Sequence, residues 1–208
     1  MIPRLRHLYS ELLHTWKSGL RDHFFLAAAA FFILSVIFFA LGMVYPPAFE
    51  KFWGMLSASM ENAGVLTEDG GINSMALLAN NVSACGFIML YGFLPLVRLP
   101  ALTLGINAMS IGITAAAYAK AGLSMALFLA GSLPHGILEL PAMFLAFGTG
   151  LYICDNLTRR LRKDSPALGA WGGTVVMARA HLLGLLPLLV GAAMGEAYVT
   201  PLIMSLLI

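Results

Sequence analysis

The chain has 208 residues, of which 60% are hydrophobic and only 11% are charged, and its formal net charge is +2. Soluble domains carry roughly 25% charged residues, so this composition excludes an ordinary soluble protein and indicates an integral membrane protein. The small net charge gives no reason to expect nucleic-acid binding. Cys85 and Cys154 lie in apolar runs, which predicts two small buried side chains rather than a disulfide or a thiolate metal site.

The amino-terminal segment combines an apolar stripe at helical spacing with basic residues. The stripe consists of Leu5, Leu8, Leu12, Trp16 and Leu20. This pattern predicts an amphipathic helix lying on the cytoplasmic face of the bilayer over residues 1–23, followed by a membrane domain over residues 24–208. A similar stripe, with Phe52 and Trp53 at its centre, predicts a second interfacial helix in the loop over residues 45–73.

Five apolar segments reach the roughly 20 residues that a spanning helix requires. In chain order they cover residues 24–44, 74–97, 101–119, 123–154 and 181–207. The fourth segment is too long for one straight span and contains Pro134 and Pro141, so we predict that it is broken into two half-helices. The expected fold class is all-α, a polytopic helical bundle in the membrane with five spans.

The loops differ in charge in a way that orients the bundle. The amino-terminal segment and the loop over residues 155–180 are rich in arginine and lysine, whereas the loop over residues 45–73 is acidic. The positive-inside rule therefore places the amino terminus in the cytoplasm and the carboxyl terminus outside the inner membrane.

Polar side chains occur inside four of the spans, where lipid offers them no hydrogen-bonding partner. They are Asn80 and Asn81 in the second span, Asn107 in the third, His135 and Glu139 in the fourth, and Glu196 in the fifth. His135 and Glu139 share a helix face, so together with Glu196 they form a candidate site for a divalent metal ion. The alternative is structural: the asparagines join helices, and His135 donates to a carbonyl that Pro141 leaves free.

The sequence contains no motif of a known membrane or soluble hydrolase. His-Glu-x-x-His, Gly-x-Ser-x-Gly and a phosphate-binding loop are all absent, so we predict no catalytic residue and a non-enzymatic protein. Close helix packing is predicted by Gly191-x-x-x-Gly195 and by Gly105 and Gly112. That packing either lies within one subunit or creates a homodimer.

The order of these polar motifs resembles the stage II sporulation protein M family of bacterial and archaeal membrane proteins. The resemblance is carried by Asn80-Asn81, Gly105-x-Asn107, Pro134-His135-Gly136-x-x-Glu139-x-Pro141 and Glu196-x-x-x-x-Pro201. It implies a polytopic helical protein of the inner membrane. In endospore formers, it further implies a scaffold that localises peptidoglycan-degrading partner proteins during engulfment.

Two functional hypotheses follow from the residues and the resemblance. The first is a membrane scaffold whose outer loop contacts extracytoplasmic peptidoglycan hydrolases and so contributes to cell-wall remodelling during sporulation. The second is a metal-binding membrane protein, or a permease for a small solute or ion, that uses His135, Glu139 and Glu196. An intramembrane hydrolase would need an activated nucleophile or a metal-bound water, and the same three residues are the candidates to hold such a water.

Overall fold

The computed structural model describes residues 2–45, 73–164 and 167–199, together with residues 51, 52, 54, 55, 58, 59, 61, 62, 64 and 202. The side chains of residues 2–5, 127, 131, 134 and 135 lie outside this description. The described residues form helices and short connections, and they include no strand. The predicted all-α fold class is therefore confirmed.

Helix α1 (Ile2–Thr15) and helix α2 (Arg21–Val44) are joined by a π-helical segment, Trp16–Leu20. The chain kinks in this segment because Gly19 has a φ of 131°. Glycine is required there, since that φ lies in a region that other residues adopt only at a cost. A helix is thus present at the amino terminus as the apolar stripe predicts, and its location on the bilayer surface stays a prediction.

Helix α3 (Ser74–Tyr91) and helix α4 (Leu99–Lys120) are separated by a tight turn. Two of its residues other than glycine have left-handed backbones, Leu96 with φ of 74° and Arg98 with φ of 48°. The amide of Leu96 donates to Thr158 Oγ1 at 3.0 Å, and the Cys154 thiol donates to the Leu94 carbonyl at 3.5 Å. These bonds hold the turn in a backbone conformation that costs on the order of 1–3 kcal/mol for each such residue.

Helix α5 (Met125–Leu161) is one uninterrupted α-helix of 37 residues. At 1.5 Å per residue it is about 55 Å long, which exceeds the roughly 30 Å hydrocarbon core of a bilayer. The predicted division into two half-helices is not confirmed. Proline removes one amide N–H from the helix, but its φ is compatible with helical backbone, and helices in membrane proteins tolerate it where neighbouring groups satisfy the freed carbonyl.

The carboxyl-terminal part of the chain is a series of helices with two π-helical segments. Helix α6 (Ala170–Arg179) leads through Ala180–Leu185 into helix α7 (Leu186–Met194), and Gly195–Val199 follows as a second π-helical segment. Together these elements form one apolar stretch, Ala170–Val199, that is long enough to span a membrane.

The predicted number of spans is confirmed. Among the described residues, five helical stretches are long and apolar enough to cross a membrane. They are Arg6–Val44, Ser74–Tyr91, Leu99–Lys120, Gly136–Leu161 and Ala170–Val199. The chain is accordingly a multi-pass membrane protein.

The chain divides into two compact units, and the boundaries between them fall inside helices. Unit 1 comprises Met1–Ala29, Val82–Leu104 and Pro141–Leu188. Unit 2 comprises Ala30–Asn81, Gly105–Leu140 and Leu189–Ile208.

Glycines bring helix backbones close together within each unit. In unit 1, a Cβ atom added to Gly148 of α5 would lie 2.9 Å from the backbone of Phe24 in α2. In unit 2, Gly112 of α4 lies directly against the backbone of α2 at Ser35. The close packing predicted for Gly112 is thus present within one subunit, whereas Gly105 has no atom of the described residues within 4 Å of its added Cβ position.

The two cysteines are both free and buried, as predicted.

Candidate functional site

The polar residues that the sequence singles out all belong to unit 2. Asn80 and Asn81 lie in α3, Asn107 lies in α4, His135 and Glu139 lie in α5, and Glu196 follows α7. Four separate stretches of the chain therefore contribute to one compact unit. This is the distribution expected if polar groups in spanning helices turn away from lipid and toward other protein.

Asn81 and Glu139 are in direct contact. The Asn81 amide Nδ2 donates to Glu139 Oε1 at 2.6 Å, linking α3 to α5 across 58 positions in sequence. This distance is short for an N–H···O bond, and short bonds are typical of a charged acceptor. Both side chains are half-buried. The bond offsets part of the free energy that burial of the carboxyl group would otherwise cost.

A small cavity lies beside this bond. It is lined by Asn81 and Glu139, by Leu77 and Leu78 of α3, and by Leu189, Ala192 and Ala193 of α7. Its volume is about 10 Å³, close to the minimum of roughly 10–15 Å³ that a single water molecule needs. The cavity is therefore of a size for one water or one small ion, and it has no room for an organic solute.

Glu196 is a buried carboxyl group, and it lies four residues after Ala192 of the cavity wall. Its residue exposure is only 6%, and it lies in the π-helical segment one turn after Ala192, which lines the cavity. Residues four apart on a helix share a face, so Glu196 continues the buried stripe formed by Leu189 and Ala192. Single π-helical turns are frequent at functional sites because they reorient one side chain.

The remaining predicted residues are placed differently. Asn80 is exposed although it is adjacent to Asn81, and Asn107 is half-buried. His135 lies in α5, and its side chain falls outside the described residues. Within the described part of the chain, no group of three or more metal-binding side chains is found. Because His135 belongs to the predicted set, the metal site stays a prediction.

A second polar cluster lies in unit 1, and sequence reasoning missed it. Asp155 of α5 accepts a bond from Arg98 Nη2 at 2.9 Å through Oδ1, and His23 Nε2 lies 3.1 Å from Oδ2. His23 Nδ1 faces the Gly19 carbonyl at 2.9 Å. A carbonyl oxygen only accepts, so His23 Nδ1 is the donor to Gly19. A ring that also carries a proton on Nε2 would donate to Asp155 Oδ2 as well.

This second cluster surrounds a much larger cavity, of about 300 Å³. Its lining includes Ser18, His23, Arg98, Tyr152, Arg159 and Arg162. The Ser18 and Tyr152 hydroxyls lie 3.3 Å apart, and the rings of Tyr152 and His23 meet edge to face at 5.7 Å. The only sequence signal for this cluster was Asp155, an acidic residue at the end of an apolar run, because His23 is 132 residues distant.

Comparison with known proteins yields one family match. The family described as "Stage II sporulation protein M" matches residues 27–201. No curated protein and no solved structure matches the chain. The matched region includes the six polar residues that the sequence singled out, as well as Arg98 and Asp155, and it begins after His23.

Proposed function

This chain belongs to the stage II sporulation protein M family, and we propose that it is a non-enzymatic membrane scaffold that holds extracytoplasmic peptidoglycan-degrading partners. The observation that carries the proposal is the family match over residues 27–201, a region that includes most of the five apolar helical stretches. The family is not a known enzyme family. Sequence motifs of the common hydrolases are also absent, which supports a role in binding.

The proposed orientation places the partner surface outside the cell. The basic amino-terminal segment and the arginines near the end of α5 belong in the cytoplasm by the positive-inside rule. The loop over residues 45–73 then lies outside the inner membrane, where peptidoglycan is located. The aromatic residues of its sequence are of the type that protein interfaces favour.

The scaffold proposal is tested by replacing that loop. Residues 45–73 are exchanged for a Gly/Ser linker of equal length, and the partners of the wild type and the variant are identified after cross-linking in native membranes. The expected result is loss of extracytoplasmic cell-wall hydrolases from the variant. A control exchanges residues 163–169, which follow the carboxyl end of α5, for a Gly/Ser linker of equal length and should retain them. Full recovery of every partner by the loop variant would refute the scaffold role.

A second candidate function is metal binding at His135, Glu139 and Glu196. It is favoured by the burial of Glu196 and by the position of Glu139 beside a cavity large enough for one ion. A buried carboxylate needs a cation or a hydrogen-bond donor, and divalent ions are common partners of such groups. The small volume of the cavity supports an ion in preference to a transported organic solute.

Elemental analysis of the purified protein tests this candidate. Wild type, Glu139→Gln and Glu196→Gln are compared with Glu11→Gln, which alters an acidic residue of unit 1. A metal at this site predicts a stoichiometric ion in the wild type and in Glu11→Gln, and its loss from the other two variants. Equal metal content in all four proteins would exclude the site. Light scattering of the same samples measures whether the protein is a homodimer.

A further inference from the structure

The cavity of unit 1 has the volume and the polarity of a ligand site. Its volume of about 300 Å³ is at the lower end of the roughly 300–1,000 Å³ range of small-molecule sites. It is built by three parts of the chain: the kink between α1 and α2, the turn before α4, and the last turns of α5.

The charges that line this cavity are predominantly positive. Three arginines, Arg98, Arg159 and Arg162, face a single carboxylate, Asp155, so these four side chains carry a net charge of +2. Both oxygens of Asp155 are already engaged, one by Arg98 and the other by His23. Among the described residues, no carboxylate lies within ion-pair distance of Arg159 or Arg162. Two guanidinium groups therefore remain available to an anion.

The backbone around the cavity is held in costly conformations. Arg98 and Leu96 both have positive φ values, and the Leu96 amide is bound to Thr158, another residue of the lining. On the opposite side, Gly19 has a φ of 131°. Residues held in sparsely populated conformations concentrate at binding sites, because surrounding contacts must fix them in place. Here the contacts place the Arg98 guanidinium at the cavity.

The helix dipole of α5 opposes the binding of an anion at this cavity. The carboxyl-terminal end of α5 carries the equivalent of about half a negative charge, which repels an anion. Arg159 and Arg162 lie in and directly after this last turn, and their two positive charges exceed it. An anion is therefore held by side chains, not by helix amides.

We propose that the cavity between the α1–α2 kink and the end of α5 binds a phosphate group, held by Arg159 and Arg162 with Arg98. Guanidinium groups bind phosphate oxygens through paired hydrogen bonds, and three arginines match the geometry and charge of this group better than those of a carboxylate. The phosphate has two sources. One is the headgroup of an anionic phospholipid, since basic pockets between spanning helices bind such headgroups. The other is inorganic phosphate in solution.

The experiment uses the full chain in neutral detergent with two probes. Inorganic phosphate is titrated calorimetrically, and phosphatidylglycerol or phosphatidylcholine is added in mixed micelles, with the bound lipid counted by native mass spectrometry. The test variant is Arg159→Gln with Arg162→Gln. Its control is Arg160→Gln, which removes one positive charge from the same turn of α5 but does not line the cavity.

The proposal predicts binding of phosphate, of phosphatidylglycerol, or of both to the wild type and to Arg160→Gln. The double variant should bind at least about tenfold more weakly, because a hydrogen bond to a charged group contributes roughly 1.5–3 kcal/mol. A companion variant, Arg159→Lys with Arg162→Lys, keeps the charge and should recover part of the affinity. Binding of phosphatidylglycerol alone identifies a lipid headgroup, and binding of phosphate alone identifies the free ion.

Failure of both probes to bind the wild type would overturn the proposal, as would phosphatidylcholine binding as well as phosphatidylglycerol. Two results with the variants would also overturn it. The first is an equal loss in Arg160→Gln, which would indicate general charge attraction without a site. The second is unchanged binding in the double variant. Arg159 and Arg162 are exposed, so glutamine there should leave folding intact, and circular dichroism checks this directly.

Discussion

Replacing Asn81 with leucine removes the amide that donates to Glu139 Oε1 at 2.6 Å. Leucine has the same branching and a similar volume, so the main change is the lost bond. Hydrogen bonds between helices in membrane proteins contribute roughly 0.6 kcal/mol on average and about 1.7 kcal/mol at most. This bond is short and its acceptor is a half-buried carboxyl group, so we expect a contribution near the upper value, about 1.5 kcal/mol.

A double-mutant cycle measures this contribution. Asn81→Leu, Glu139→Met and the double variant are unfolded reversibly in mixed micelles with increasing sodium dodecyl sulfate, and the free energies of unfolding are compared. We expect the double variant to lose about 1.5 kcal/mol less than the two single losses together, because each single change leaves the partner without its bond.

Asn80→Leu is the matched control, since Asn80 is the adjacent residue and is exposed. We expect it to change the free energy of unfolding by less than about 0.5 kcal/mol. If the effects of the two single variants in the cycle simply added, the bond between Asn81 and Glu139 would contribute nothing to stability. A loss in Asn80→Leu as large as that in Asn81→Leu would contradict the expected contribution as well.

Two further predictions concern the backbone, and thermal unfolding in detergent tests both. Gly148→Ala should lower stability by about 1–3 kcal/mol because its Cβ would lie 2.9 Å from the Phe24 backbone. Gly105→Ala has open space around its Cβ and should be neutral or raise stability by roughly 0.5–1 kcal/mol. Equal effects of the two variants would contradict the close packing at Gly148. Lys163 ends α5 with φ of 58°, as Gly122 ends α4 with φ of 70°. Lys163→Gly should therefore stabilise the protein by about 1 kcal/mol, and Gly122→Ala should destabilise it by a similar amount. A destabilised Lys163→Gly protein would show that the lysine side chain has another role.

The hydrophobic pattern predicted the fold class and the five spans because a spanning chain must satisfy its backbone hydrogen bonds within itself. Length and hydropathy alone therefore identify the helices. The division of α5 into two half-helices, which was expected from its length and from Pro134 and Pro141, is not confirmed, since the structure has one helix of 37 residues. Whether a proline breaks a helix depends on the neighbours that satisfy the freed carbonyl, and a sequence does not name those neighbours.

For the polar residues too, the sequence predicted one part and the tertiary structure decided the other. Their residue types and the order in which they occur along the chain were sufficient to identify the family and to predict that several of them share one region, since lipid offers none of them a partner. Only the tertiary structure decided that Asn81 meets Glu139 while Asn80 is exposed, because adjacent helix positions point in different directions and packing selects between them. The cluster of His23, Arg98 and Asp155 was also decided by tertiary structure alone: its members come from three distant segments, and each appears in the sequence as an ordinary charged residue beside a span.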